Sequence, residues 1–348
     1  MLLPFAAIAE TDAEKELINT INNVHNQCSG ISDNMEPLKK MAGIGTAVNA
    51  VGTLAGAGGV ASGIAKNEKD KNIATSMGEK YSIEVIKEKL KDKELSPENQ
   101  AALKRFQESA QDVNWAEVEA GLNKLSDEFD KQEAQSQEDM LKKLDAQEAA
   151  AQKRIEENQK QSDTYGNIRT GLFATNTATS VAGAIVSSKA KVDESLEERI
   201  KKCKNSLPEL SNAVFRVRVE DGQSANTYLI EKGQKILGRC GEYNRLDISS
   251  LNKLANGATV SGAVGGVTGL AATVTSVAGT KNKVSDIDVA SENAEQEMNK
   301  IEKVNVASNI LGGVTAITSL TGTVLNAKQI KKIKDVIMVA QDCEEALK

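Results

Sequence analysis

The side chains able to do chemistry are few and far apart: four cysteines, one histidine, and acidic residues scattered among many others. A cysteine thiol can pair with another, bind a soft metal or act as a nucleophile, and spacing decides among these. Cys28, Cys203, Cys240 and Cys343 share no short metal-binding spacing, and His25 is the chain's single imidazole. A metal centre is therefore not expected, and His25 reads as a helix-surface residue. Asp286, Asp288 and Glu297 faintly resemble a calcium loop in spacing, but Ala290 and Ser291 stand where that loop needs a ligand and a turn glycine. No Gly-Lys-Ser/Thr phosphate loop occurs, and no carboxylate pair stands out from the surface acids. The expectation is a protein without cofactor or metal and without catalytic activity.

Oxidation of the cysteines to disulfides is the chemistry that remains, and an even number suits an oxidising compartment. Their pairing follows from an internal likeness. Leu17, Ile18 and Cys28 are matched by Leu229, Ile230 and Cys240, and Val24 by Ile236. The stripes Leu17, Ile21, Val24, Cys28 and Leu229, Gly233, Ile236, Cys240 have the same helical steps. Residues 203–207 and 343–347 agree as well, each opening on Cys and closing on Leu. The chain thus divides into tandem helical units, 10–207 and 208–348, each with one cysteine near its start and one near its end. Equivalent internal contacts predict Cys28 to Cys203 and Cys240 to Cys343 among three connectivities. Each bridge would contribute roughly 4–5 kcal/mol in the chain-entropy account.

The elements that must position these cysteines are helices. Of 348 residues 40% are hydrophobic but only 3% aromatic, so the interior has to be filled by small side chains packed closely. The best strand candidate, Phe215 to Val219, has no partner strand. The expected class is all-α, built as tandem helical-hairpin units with Gly/Ala-rich, close-packed helices. A net charge of -6, with basic and acidic residues mixed, argues against nucleic acid as a partner.

Four stretches carry no charge: 41–65, 170–188, 257–280 and 304–327. Gly52, Gly56, Gly59 and Gly63, and then Gly262, Gly265, Gly266 and Gly269, fall at small-xxx-small spacings that let helices approach closely. A glycine inside a helix costs about 0.5–1 kcal/mol relative to alanine, so their number requires a reason. Two reasons stand open: a close-packed soluble core, or hairpins that enter a bilayer.

The first unit carries a charged, coiled-coil-like helical insertion over 66–165, where the second has only the connector 281–303. Within the insertion, Ser96 to Glu98 reads as a helix start and 115–161 as a long helix with a thin apolar seam. It is the expected surface for a protein partner or for self-association. The apolar run 1–9, ending in Ala7-Ile8-Ala9 before Glu10, reads as the remnant of a signal peptide. The expectation is an exported structural or interaction protein, periplasmic, envelope-associated or secreted. The alternative is a membrane-inserting pore-forming or translocator-like protein.

Overall fold

The computed structural model describes residues 11–92, 137–220 and 226–348, which contain helices and turns and no strand. The all-α expectation holds. The helices are α1 (Asp12–Cys28), α2 (Ile31–Asp92), α3 (Gln137–Lys189), α4 (Glu194–Glu220), α5 (Thr227–Cys240), α6 (Ser249–Lys281) and α7 (Ala294–Leu347), with 3-10 turns at Gly241–Arg245 and Val284–Asp286. Local chemistry sets the breaks. Thr11 and Glu14 form a reciprocal capping box at the start of α1. Gly30, at φ 74°, supplies the left-handed turn between α1 and α2. Asn226 accepts from the Leu229 amide and caps α5. The strand-like Phe215 to Val219 lies in α4, with Val217 buried and Phe215 and Val219 exposed. The expected helix start at Ser96 and the first part of the helix over 115–161 lie outside the described residues, as do residues 1–10; α3 takes up the long helix from Gln137.

Contacts divide the chain into two compact units that cut across the tandem order. The first combines 1–50, 179–263 and 318–348, and the second 51–178 and 264–317. In the first unit α1, α4 and α5 pack with the ends of the long helices around Leu17, Val24, Ile200, Leu210, Ile236, Leu251 and Ile333. Cys28 is bonded to Cys203 and Cys240 to Cys343, the pairing expected from the repeated stripes. All four positions of the first stripe are buried. In the second stripe Leu229 is only half-buried, and Ile230 takes the inward place. Gly233 is glycine because a Cβ there would lie 2.5 Å from Val214 Cγ2.

The second unit has a small aliphatic core of Ile73, Met77, Ile155, Val284, Ile287, Ala294 and Ile301. Here the two described flanks of the insertion are tied together. Lys87 of α2 reaches Asp145 at 2.5 Å and Glu148 at 2.6 Å on α3, and Arg154 of α3 pairs with Glu79 of α2.

Candidate functional site

The site is a surface, and α7 displays its logic residue by residue. One face of this helix is buried at Asn305, Ser308, Gly312, Thr315, Ser319, Gly322, Asn326 and Gln329, then at Ile333, Val336, Ala340 and Cys343. Those positions step by three and four throughout, so they form one continuous stripe. Its character changes from small and polar to aliphatic at Ile333. The outward face changes the opposite way: Val306, Ile310, Val314, Ile317, Leu320 and Val324 are exposed, followed by Lys328, Lys331 and Lys334.

The same inversion runs along α2. Ile31, Met35 and Ala42 are buried, then Gly45, Asn49, Gly52, Gly56, Gly59 and Gly63, then Ile73 and Met77. Opposite the glycines, Ile44, Val51, Leu54 and Ile64 face outward. On α6 the buried Gly262, Gly265, Gly266, Gly269, Ala272, Ser276 and Gly279 lie behind exposed Val260, Val264, Val267, Leu270, Val274 and Val277. On α3, Asn176, Ser180, Gly183 and Ser187 are buried while Ile168, Val181 and Ile185 are exposed. A helix on the surface of a water-soluble protein hides its aliphatic stripe and shows its polar one. These four segments do the reverse.

Each glycine singled out in the sequence is buried, and most touch a specific side chain or backbone. In the first unit a Cβ on Gly262 would lie 2.8 Å from both Ala184 N and Ser180 O, a helix-to-helix backbone approach. Gly183 and Gly322 both face the carboxamide of Asn49. Ser187 and Asn326 exchange hydrogen bonds of 3.2 and 3.1 Å, and Ser180 and Ser319 meet at 3.0 Å. In the second unit Gly59 and Gly312 both receive the ring of Phe173, Gly56 faces Asn176 and Ala316, and Gly269 faces Thr177 and Thr315. Threonines along the segments turn their hydroxyls back to the carbonyl four residues earlier, as Thr46, Thr259 and Thr273 do. These threonine hydroxyls are thereby satisfied within their own helices.

Sequence reasoning missed a charged cluster in the second unit. Lys66 donates to Asp70 Oδ2 at 2.5 Å, and Ser162 donates to Asp70 Oδ1 at 2.5 Å. Arg169 bonds to Ser276 and Asn305. Its only trace in the sequence is that Lys66 and Arg169 directly abut uncharged segments. The calcium-like acids form no ligand set: the Asp288 side chain instead accepts from the Ala290 amide. No group of three or more metal-ligating side chains gathers among the described residues. His25 is exposed on α1.

Three helical stretches, within residues 12–88, 227–286 and 294–347, are long and apolar enough to cross a membrane. Comparison of the chain with protein-family models, curated proteins and solved structures returns no match.

Proposed function

We propose that this is a non-enzymatic envelope protein inserted in a membrane, its four uncharged segments forming lipid-facing helices. In this reading the disulfide-stapled residues lie on the oxidising side. The observation that carries it is the reversal of polarity along α2 and α7, where aliphatic side chains turn outward over the same residues at which Gly, Ser, Thr and Asn turn inward. Lipid gives no hydrophobic drive for helices to associate, so helix pairs there use small residues for close approach and polar ones for hydrogen bonds. Aliphatic side chains are then best left facing the acyl chains. Length agrees: at 1.5 Å per residue, Ile44 to Ile64 spans about 30 Å, the thickness of a bilayer's hydrocarbon core. The two cystines fit an oxidising, extracytoplasmic compartment. Phe173 fills the interior between Gly59 and Gly312, which favours a packed anchor over an open pore.

The test is flotation of the oxidised full chain with liposomes, in wild type and in Leu54→Asp and Val267→Asp. Leu54 is 75% and Val267 72% exposed, so neither supports a core. In a water-soluble protein such surface changes stay within about 0.5 kcal/mol. At the centre of a membrane helix each aspartate costs about 2.5–3.5 kcal/mol. The expected result is that wild type floats and both variants float poorly. Wild type remaining monomeric in the aqueous fraction, or variants that insert as well as wild type, would sink the proposal.

A further inference from the structure

The buried charge in the second unit does not balance. Arg169 is 0% exposed, and each partner of its guanidinium is neutral. Nε donates to the Ser276 hydroxyl at 2.9 Å, and Nη2 to Asn305 Oδ1 at 3.0 Å and the Ser276 carbonyl at 3.4 Å. Nη1 has no hydrogen-bond partner among the described residues. The nearest carboxylate in this chain of bonds is reached only through Asn305, whose Nδ2 donates to Asp70 Oδ2 at 3.2 Å. That same oxygen already takes the Lys66 ammonium at 2.5 Å. Asp163, close by, is paired with Lys283 at 2.7 Å. Among the described residues two cations, Lys66 and Arg169, therefore share one carboxylate, and one positive charge is left over in a buried setting. Such a charge is strongly disfavoured without a counterion, and a guanidinium does not shed its proton.

From this we infer a binding site for a small monovalent anion of the chloride class, anchored on Arg169 Nη1 and drawn in by the field of Lys66. The valence follows from the charge, since one uncompensated positive charge calls for one negative charge. A Cβ on Gly63 would lie 3.0 Å from Arg169 Cδ, and one on Gly279 3.1 Å from Arg169 Nη2, so the guanidinium is accommodated where it lies because both positions are glycine. Asn309 also packs on Gly63, with its Oδ1 unpartnered among the described residues. Turned end for end, its carboxamide offers the anion a further N–H. The site stands on burial and charge within one unit and holds whether or not the segments enter lipid.

The experiment is thermal unfolding of the oxidised full chain in detergent micelles at constant ionic strength, with chloride, bromide or sulfate replacing gluconate. The expected result is a saturable rise in Tm with chloride and bromide and no such rise with sulfate. Lys66→Met, which leaves Arg169 and Asp70 in charge balance, should raise the half-saturating chloride concentration by about tenfold or more, the scale of one nearby charge. Asp70→Asn, which removes the competing carboxylate, should tighten it. A flat chloride response in wild type overturns the site. So does a rise that sulfate reproduces or that both variants share unchanged, since that is a bulk salt effect. If neither variant folds, the wild-type contrast between chloride and sulfate decides.

Discussion

Glycines in the same chain meet different surroundings, and their substitutions should carry opposite signs. Gly262 faces the backbone of Ser180 and Ala184, atoms that cannot swing aside. Gly262→Ala should destabilise by roughly 1–3 kcal/mol, the range of overpacking in a filled interior. Gly238 is exposed on α5, and a Cβ there would meet nothing within 4 Å. Gly238→Ala should stabilise by about 0.5–1 kcal/mol through helix propensity alone. Thermal unfolding of both variants in one detergent checks the pair, and equal shifts would refute the contact reading. Small-xxx-small spacing made the packing role of Gly262 legible beforehand. The cystines were legible too, because the repeated stripes placed Cys28 and Cys240 at equivalent points. The Arg169 cluster was not, since Lys66 and Asp70 at four residues' spacing read like any surface ion pair. Their burial depends on Ser162, Ser276 and Asn305 arriving from distant parts of the chain.

Two helix starts in the first unit, those of α4 and α6, rest on aspartates, and this makes them sensitive to acid. Asp193 accepts from the Leu196 amide at 2.7 Å and the Ser195 hydroxyl at 2.9 Å at the start of α4. Those bonds, the Leu196 amide foremost, hold its carboxyl below the usual range. Asp247 does the same for α6, its carboxyl held low first by the Ser249 hydroxyl and also by the Ser250 amide. A carboxyl whose folded pKa is depressed stabilises fully above its unfolded value, about 3.9, and loses that stabilisation as pH falls through the folded value. Asp193→Ala should therefore cost about 1 kcal/mol at pH 7. The gap from wild type should narrow only below about pH 4, where wild type loses the same interaction. A gap constant down to pH 2 would show that the carboxylate is not the source. At this scale the uncharged stretches were legible as helices from their lack of charge. Which face turned outward was not. Valine and glycine alternate so closely along 257–280 that an aliphatic face and a small-residue face are equally good candidates for the interior. Only the contacts of Gly262 and Gly269 choose.

For the whole molecule, parity turns the membrane proposal into a statement about sides. Cys28 precedes the first uncharged segment, and the insertion 66–165 follows it. The second segment leads back to Cys203 and Cys240, the third leads out to 281–303, and the fourth returns to Cys343. If each segment crosses once, all four cysteines lie on one side, and the insertion and the short connector lie together on the other. Basic residues do not choose the orientation, because Lys39, Lys40, Lys189 and Lys191 flank one end of the segments and Lys66, Lys69, Lys281 and Lys283 the other. The cystines do choose it, since they persist in oxidising compartments. The charged insertion should then face the reducing side. Trypsin added to sealed vesicles of one orientation should cut within 66–165 and leave the region holding the two cystines intact, and vesicles of the opposite orientation should give the reverse. Cleavage of both regions from the same side would mean that the segments do not each cross, and would return the insertion and the cystines to one compartment.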